Sequence, residues 1–363
     1  MSGIHHFVPV LHRGDAVGRH TLRLRDATRA RGIHSEIFVD TVDEDTADEA
    51  VAVLSYPEVA RPGDVVVYQF ATASAMAPWL AGRSETLVVN YHNVTPPELM
   101  APWDNHLALG QLRAQGDLRL LAPRTELAVA DSAYNEAHLA ASGFAATAVV
   151  APSAALDTET TASGNDGRRA TRAAGRGPRW LAIGRVSPNK ALESTIAALA
   201  ASHAQGNADA TLDIIGKPAT DSYVNALHCF VAELGLADAV RFAGHASDAT
   251  VASAYAKADV LVVTSEHEGF CVPVVEAMAA GLPVVAFDQG AVPEVLGAAG
   301  VLVSDKDPYA LAAAIAALLA DASRRDAVVE AGRRRLAELD LGSAADRFVD
   351  LLVPLARSEA TAS

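Results

Sequence analysis

The run Val260-Leu261-Val262-Val263-Thr264-Ser265, continued after two residues by Glu268-Gly269-Phe270-Cys271-Val272-Pro273-Val274-Val275-Glu276, leaves few folds open. Apolar, β-branched residues bounded by polar ones read as a parallel strand buried on both faces. Gly269 turns the backbone, and Pro273 suits the first helical position, where its missing N–H costs nothing. Val274, Val275, Met278 and Ala279 then keep helical spacing until Gly281 and Pro283 stop the helix. Glu268 therefore sits on a loop at the carboxyl end of a strand, and Glu276 near the start of the next helix. The N–H groups of Phe270, Cys271 and Val272 lie between them and make an anion site. A ligand with a phosphate for the amides and hydroxyls for both carboxylates fits, and a nucleotide sugar has that form. The plainer alternative is a strand–loop–helix unit whose acids face water.

Similar units run along the whole chain. The strand from His5 to Leu11 ends at Arg13-Gly14-Asp15-Ala16-Val17-Gly18 and leads into a helix, the start of a Rossmann-like half. The full dinucleotide fingerprint is missing, so Gly14 and Gly18 read as residues that let backbone approach a ligand closely. Arg13, Arg19, Arg23, Arg25, Arg29 and Arg31 then form either a solvated face or a basic patch for a phosphorylated or lipid-phosphate acceptor. The acidic stretch 40–49 reads as a surface loop leading into a helix, residues 71–80 as a helix, and 103–113 as an amphipathic helix. The strand Thr86–Tyr91 ends at His92, placed where open α/β sheets bind ligands.

Residues 158–177, rich in Thr, Ser, Gly, Ala and Arg without apolar periodicity, read as a linker between domains at 1–157 and 178–340. A last helix and tail occupy 341–363. The second domain opens with a strand ending at Gly184-Arg185, and Lys190 follows five residues later. The two cations can converge on one anion, Arg as a bidentate partner and Lys as a point charge. Two further strands end at Gly216-Lys217 and Gly244-His245, where a base could pass bare backbone.

Taken together, Gly184-Arg185 with Lys190, the two glutamates with seven residues between them and the downstream Ala280-Gly281-Leu282-Pro283-Val284-Val285 resemble the GT4-type retaining glycosyltransferases. The likeness is strongest from Trp180 to Val303. It implies the GT-B fold: two Rossmann-like α/β domains facing across a cleft, with the C-terminal helix returning to the N-terminal domain. It implies that Glu268 contacts the donor sugar, Glu276 the ribose, and Arg185 and Lys190 the diphosphate, with Lys217 and His245 near the base. His92 resembles the functional histidine of the family's first domain, and Gly14 and Gly18 its glycine-containing first loop. Where the family often reads Pro-Asn-Gly-Val-Asp, this chain has Pro152-Ser153-Ala154-Ala155-Leu156, so no role is carried onto those positions.

The implied reaction moves a sugar from a nucleotide diphosphate sugar to an acceptor hydroxyl with retention. It needs no metal cofactor, and no Asp-any-Asp ligand pair is evident. Phosphorylated and lipid-linked acceptors are candidates. A GT-B sugar phosphorylase, a nucleotide-sugar epimerase and a non-catalytic sugar-nucleotide-binding protein are the alternatives. A net charge of −15 argues against nucleic acid as a partner. The sequence shows no signal peptide, no apolar run long enough for a bilayer and only two cysteines, so a cytoplasmic location, with or without peripheral attachment at the inner membrane face, is expected.

Overall fold

The computed structural model describes residues 2–153 and 176–357. Most of the expected linker lies outside the described residues. Those described form two compact units, one holding 2–97, 106–153 and 340–357, the other 98–105 and 176–339.

The first unit is built on a seven-stranded sheet in the order β3-β2-β1-β4-β5-β6-β7. Its strands are β1 (Ile4–Val10), β2 (Ile37–Thr41), β3 (Val51–Ala52), β4 (Val65–Phe70), β5 (Thr86–Tyr91), β6 (Thr125–Ala130) and β7 (Thr147–Val149), all paired in parallel. Both faces are covered, as a parallel sheet requires. Successive side chains of β4 alternate between two cores: Val66, Tyr68 and Phe70 pack with Phe7 and Phe38, while Val65 and Val67 pack with Ile4, Leu24 and Phe348. Phe348 belongs to the helix Ala344–Arg357, which therefore closes the second face of this sheet.

The second unit carries a parallel six-stranded sheet in the order β10-β9-β8-β11-β12-β13. These strands are β8 (Arg179–Ile183), β9 (Thr211–Ile215), β10 (Val240–Gly244), β11 (Val260–Val263), β12 (Val284–Phe287) and β13 (Gly300–Val303). Trp180, Leu212, Ile214, Val260, Val262 and Val285 are buried in one core with Ile196 and Ile315 from flanking helices.

Several expectations are corrected. The acidic stretch after β2 forms one 3-10 turn, Glu44–Thr46, capped by the Asp43 carboxylate, and then β3 rather than a helix. The helix expected at 71–80 is Met76–Ala81. The helix expected at 103–113 runs from Asn105 to Leu121. Trp103 lies ahead of it, and its segment groups with the second unit because its ring packs edge-on against Tyr223 at 4.9 Å. Its carbonyl also accepts from Ser222 at 2.6 Å. The arginine-rich stretch is not a free basic patch. Arg13 pairs with Asp48 and Glu49, Arg25 with Asp26 and Glu49, Arg29 with Glu36, and Arg31 with Asp346 and Asp350.

Candidate active site

In the second sheet the order of connection reverses between β8 and β11, which lie side by side. Open parallel sheets bind ligands in the crevice outside the carboxyl ends of strands at such a switch point. The loop after β8 carries Arg185 and Lys190, and the loop after β11 carries Glu268. Topology alone therefore brings together residues separated by 78 positions.

The two loops are laced together. Asn189 donates from its side chain to the carbonyl of His267 at 3.2 Å, and its own carbonyl accepts from the Glu266 N–H at 2.8 Å. The Thr264 hydroxyl lies 2.9 Å from the carbonyl of Ala191, a residue held at φ 45°. Behind Glu268, the Ala291 N–H donates to its carbonyl at 3.0 Å. Gly290 makes this approach possible: with φ 59°, it would place any Cβ 2.7 Å from the Glu268 carbonyl oxygen.

On this frame, Lys190 Nζ donates to Glu268 Oε1 at 2.5 Å, and the Ser265 hydroxyl donates to the same oxygen at 2.6 Å. Burial alone would lower the Lys190 ammonium, but the Glu268 carboxylate outweighs it and holds the group above its usual range. Burial likewise pushes the Cys271 thiol up, so it is a neutral group packed beside the pair. Arg185, Lys190, Glu268 and Cys271 line one cavity with Gly184, Thr264 and Ser265. Arg185 is exposed there and makes no ion pair among the described residues.

The helix after Glu268 spans Val272–Ala279, with Cys271 ahead of it at φ 72° and Pro273 in its first turn. The N–H groups of Phe270, Cys271 and Val272 make no backbone hydrogen bond among the described residues. Glu276 is half-buried, and its Oε2 accepts from Tyr255 Oη at 2.7 Å. Tyr255 is 3% exposed and comes from the helix Asp248–Lys257. Lys217 and His245, at the ends of β9 and β10, are exposed and do not line the cavity. Ser265 was legible as a polar strand end. Tyr255 and Gly290 carried no comparable sequence signal.

In the first unit His92 follows β5. Its Nδ1 lies 3.0 Å from Asp131 Oδ2 and its Nε2 2.8 Å from Gln69 Oε1, so both ring nitrogens are fixed within that unit. Gln69 also accepts from Asn90 at 2.8 Å, and Asn90 reaches His20 at 2.9 Å. Burial lowers the imidazole of His20 far below its usual range and that of His6 to about 3, so both are neutral at pH 7. Gly14 is exposed, whereas Gly18 is buried against the backbone of His12, whose carbonyl oxygen would lie 1.8 Å from any Cβ. The approach that Gly18 permits in this structure is that of helix to strand end.

Residues 166–335 match the family described as Glycosyl transferases group 1. The chain is 40% identical over 112 residues to the MMP alpha-(1->4)-mannosyltransferase of Mycolicibacterium hassiacum, covering 30% of this chain and 27% of that protein. It is 33% identical over 224 residues to the D-inositol 3-phosphate glycosyltransferase of Geodermatophilus obscurus, covering 60% of this chain and 49% of that one. The chain thus spans about half or less of the curated relatives it matches first. Among solved structures, Anabaena HepE in complex with UDP and glucose superposes with a TM-score of 0.74 at 19% identity, covering 97% of this chain and 100% of HepE. That likeness extends over both sheets and establishes the fold. The loops after β8 and β11 lie inside the matched region, so residues 166–335 are similar to the group 1 glycosyl transferases, and the chain has the GT-B fold.

Proposed function

We propose that the chain transfers a sugar from a nucleoside diphosphate sugar to an acceptor hydroxyl, with retention of anomeric configuration and without a metal ion. The observation that carries the proposal is the Lys190–Glu268–Ser265 cluster beside exposed Arg185 at the switch point of the second sheet. The hard task in such a transfer is stabilising the negative charge that grows on the departing diphosphate. Arg185, Lys190 and the amides after Glu268 meet it from fixed positions. Lys190 and Ser265 both bind Glu268 Oε1, which fixes the carboxylate's orientation toward the sugar hydroxyls. Glu276, held by Tyr255, takes the ribose hydroxyls, and Lys217 and His245 flank the base. In the first unit His92 and the loop of Gly14 serve the sugar and acceptor.

UDP-glucose is a donor to try first, since HepE was solved with UDP and glucose. Phosphorylated acceptors come next, D-inositol 3-phosphate being named for one relative. Arg19 is the arginine to test there, because its Nε is buried without a hydrogen-bond partner among the described residues. A reducing, cytoplasmic setting suits the free cysteines Cys229 and Cys271. The test is product analysis with nucleotide sugars and a panel of acceptors in EDTA. An α-configured donor giving an α-linked product in EDTA supports the proposal. An inverted product, or strict metal dependence, overturns those parts of it. Turnover that needs phosphate, or that proceeds without acceptor, favours a phosphorylase or an epimerase.

A further inference from the structure

In the first unit a row of buried side chains leads from the backbone of Ser153 to His92. Ser153, His20, Asn90, Gln69 and Asp131 are each no more than 6% exposed, so every contact among them must set a donor against an acceptor. The Ser153 N–H donates to His20 Nδ1 at 3.1 Å, and Arg23 donates to the Ser153 carbonyl. His20 Nε2 lies 2.9 Å from one side-chain amide atom of Asn90, which lies 2.8 Å from an amide atom of Gln69. That Gln69 atom is also 2.8 Å from His92 Nε2, and His92 Nδ1 is 3.0 Å from Asp131 Oδ2.

The backbone end sets the sense of the whole row. A peptide N–H can only donate, so His20 Nδ1 is bare. Burial lowers the His20 imidazole far below its usual range, and the neutral ring carries its one proton on Nε2. With the amides as they stand, Asn90 donates to Gln69 and also sets an N–H against that of His20. A side-chain amide can turn end for end with no change of shape, and only its partners tell oxygen from nitrogen. Once both are turned, Asn90 offers its oxygen to His20, and Gln69 offers its two N–H bonds to Asn90 and His92. The other Gln69 atom, now the oxygen, lies 3.4 Å from His6 Nδ1. The unpartnered His6 Nε2 is then a bare lone pair and not a buried N–H. On Asn90, one amide atom lacks a partner in either orientation.

We propose that Ser153, His20, Asn90 and Gln69 are positioning residues that make His92 a hydrogen-bond acceptor at Nε2, with its one proton on Nδ1 held by Asp131. The opposite order of the row would set both His92 nitrogens against acceptors and make the ring a cation. A substrate hydroxyl reaching His92 takes the place of the Gln69 amide and donates to Nε2. His92 thus orients a hydroxyl as a neutral ring, and the positive charge that the departing diphosphate needs comes from Arg185 and Lys190. That consequence rests on the transfer proposed above; the order of the protons does not.

The experiment is long-range proton–nitrogen NMR of the full chain labelled at its histidine nitrogens, near neutral pH. The His92 signals are identified by their absence from His92→Gln. In the wild type His92 is expected to carry one proton, on Nδ1, and His20 one proton, on Nε2. A doubly protonated His92, or one with its proton on Nε2, would overturn the proposal. His20→Phe keeps the edge-on contact with the His92 ring, 5.5 Å between centroids, but removes the N–H that orders Asn90. It should spread His92 over more than one protonation form and lower kcat by up to about 100-fold. The affinity for nucleoside diphosphate should stay that of the wild type, because that ligand is held by the second unit. A His92 spectrum unchanged in His20→Phe would also overturn the proposal, since packing alone moves no proton. If the wild type transfers no sugar, the reaction proposed above fails, and the wild-type spectrum still decides the order of the protons.

Discussion

Tyr255→Phe removes one oxygen atom from a buried ring. Its hydroxyl donates to Glu276 Oε2 at 2.7 Å and lies 3.4 Å from the Pro273 carbonyl oxygen, and the packing of the ring should not change. A hydrogen bond to a charged acceptor contributes about 1.5–3 kcal/mol. Glu276 is half-buried, so water can replace part of the lost bond, which brings the working figure below that range, to about 1 kcal/mol. For a folding unit the size of the second one, that predicts a midpoint lowered by about 2–4 °C. If Glu276 holds the ribose, the loosened carboxylate also binds nucleoside diphosphate about five- to tenfold more weakly. Isothermal titration of UDP, GDP and ADP into wild type, Tyr255→Phe, Glu276→Ala and the double variant checks this. The two substitutions should not add, because Tyr255 acts only through Glu276. Unchanged affinity in Tyr255→Phe, or the same further loss in the Glu276→Ala background, would refute the reasoning.

Lys190→Ala leaves the Glu268 carboxylate largely buried without its cation, which typically costs about 3–5 kcal/mol; chemical denaturation measures it, and turnover should vanish. Gly290→Ala pushes a methyl into the Glu268 carbonyl and should lower kcat with a smaller change in the KM of the acceptor, read from steady-state kinetics. Gly18→Ala drives a methyl into the His12 carbonyl and should lower the thermal midpoint of the first unit. Burial holds the native pKa of His6 at about 3 and that of His5 at about 4, both below the unfolded value near 6.5. At pH values below that the unfolded chain binds more protons, so stability is full above about pH 6.5 and is lost as pH falls toward 4. Calorimetric midpoints should drop between pH 7 and pH 5, and His6→Gln should flatten that drop.

The strands of both sheets were legible because buried parallel strands are continuous apolar runs, and Val65–Phe70, Thr86–Tyr91 and Val260–Val263 are such runs. The candidate site was legible where chemistry and strand ends coincide, as at Arg185, Lys190 and Glu268. Periodicity did not foresee that Trp103 would precede the helix rather than begin it, because its place is set by Tyr223, 120 positions away. Nor could a count of arginines in residues 13–31 show that their acids come from Asp48, Glu49, Asp346 and Asp350. Tyr255 and Gly290 were missed for the same reason. Each acts on a glutamate from another element, and no local pattern records such a pairing.

The central claim is that the second unit holds a nucleoside diphosphate through the loops after β8 and β11 and the helix of Glu276. Thermal stabilisation of wild type and Glu276→Ala by a series of nucleoside diphosphates and nucleotide sugars, without metal, tests it directly. A ligand that binds only the native state raises the midpoint as occupancy rises. One base should stabilise the wild type, with most of the shift lost in Glu276→Ala. A wild type that no nucleotide stabilises, even at high concentration, would contradict the account.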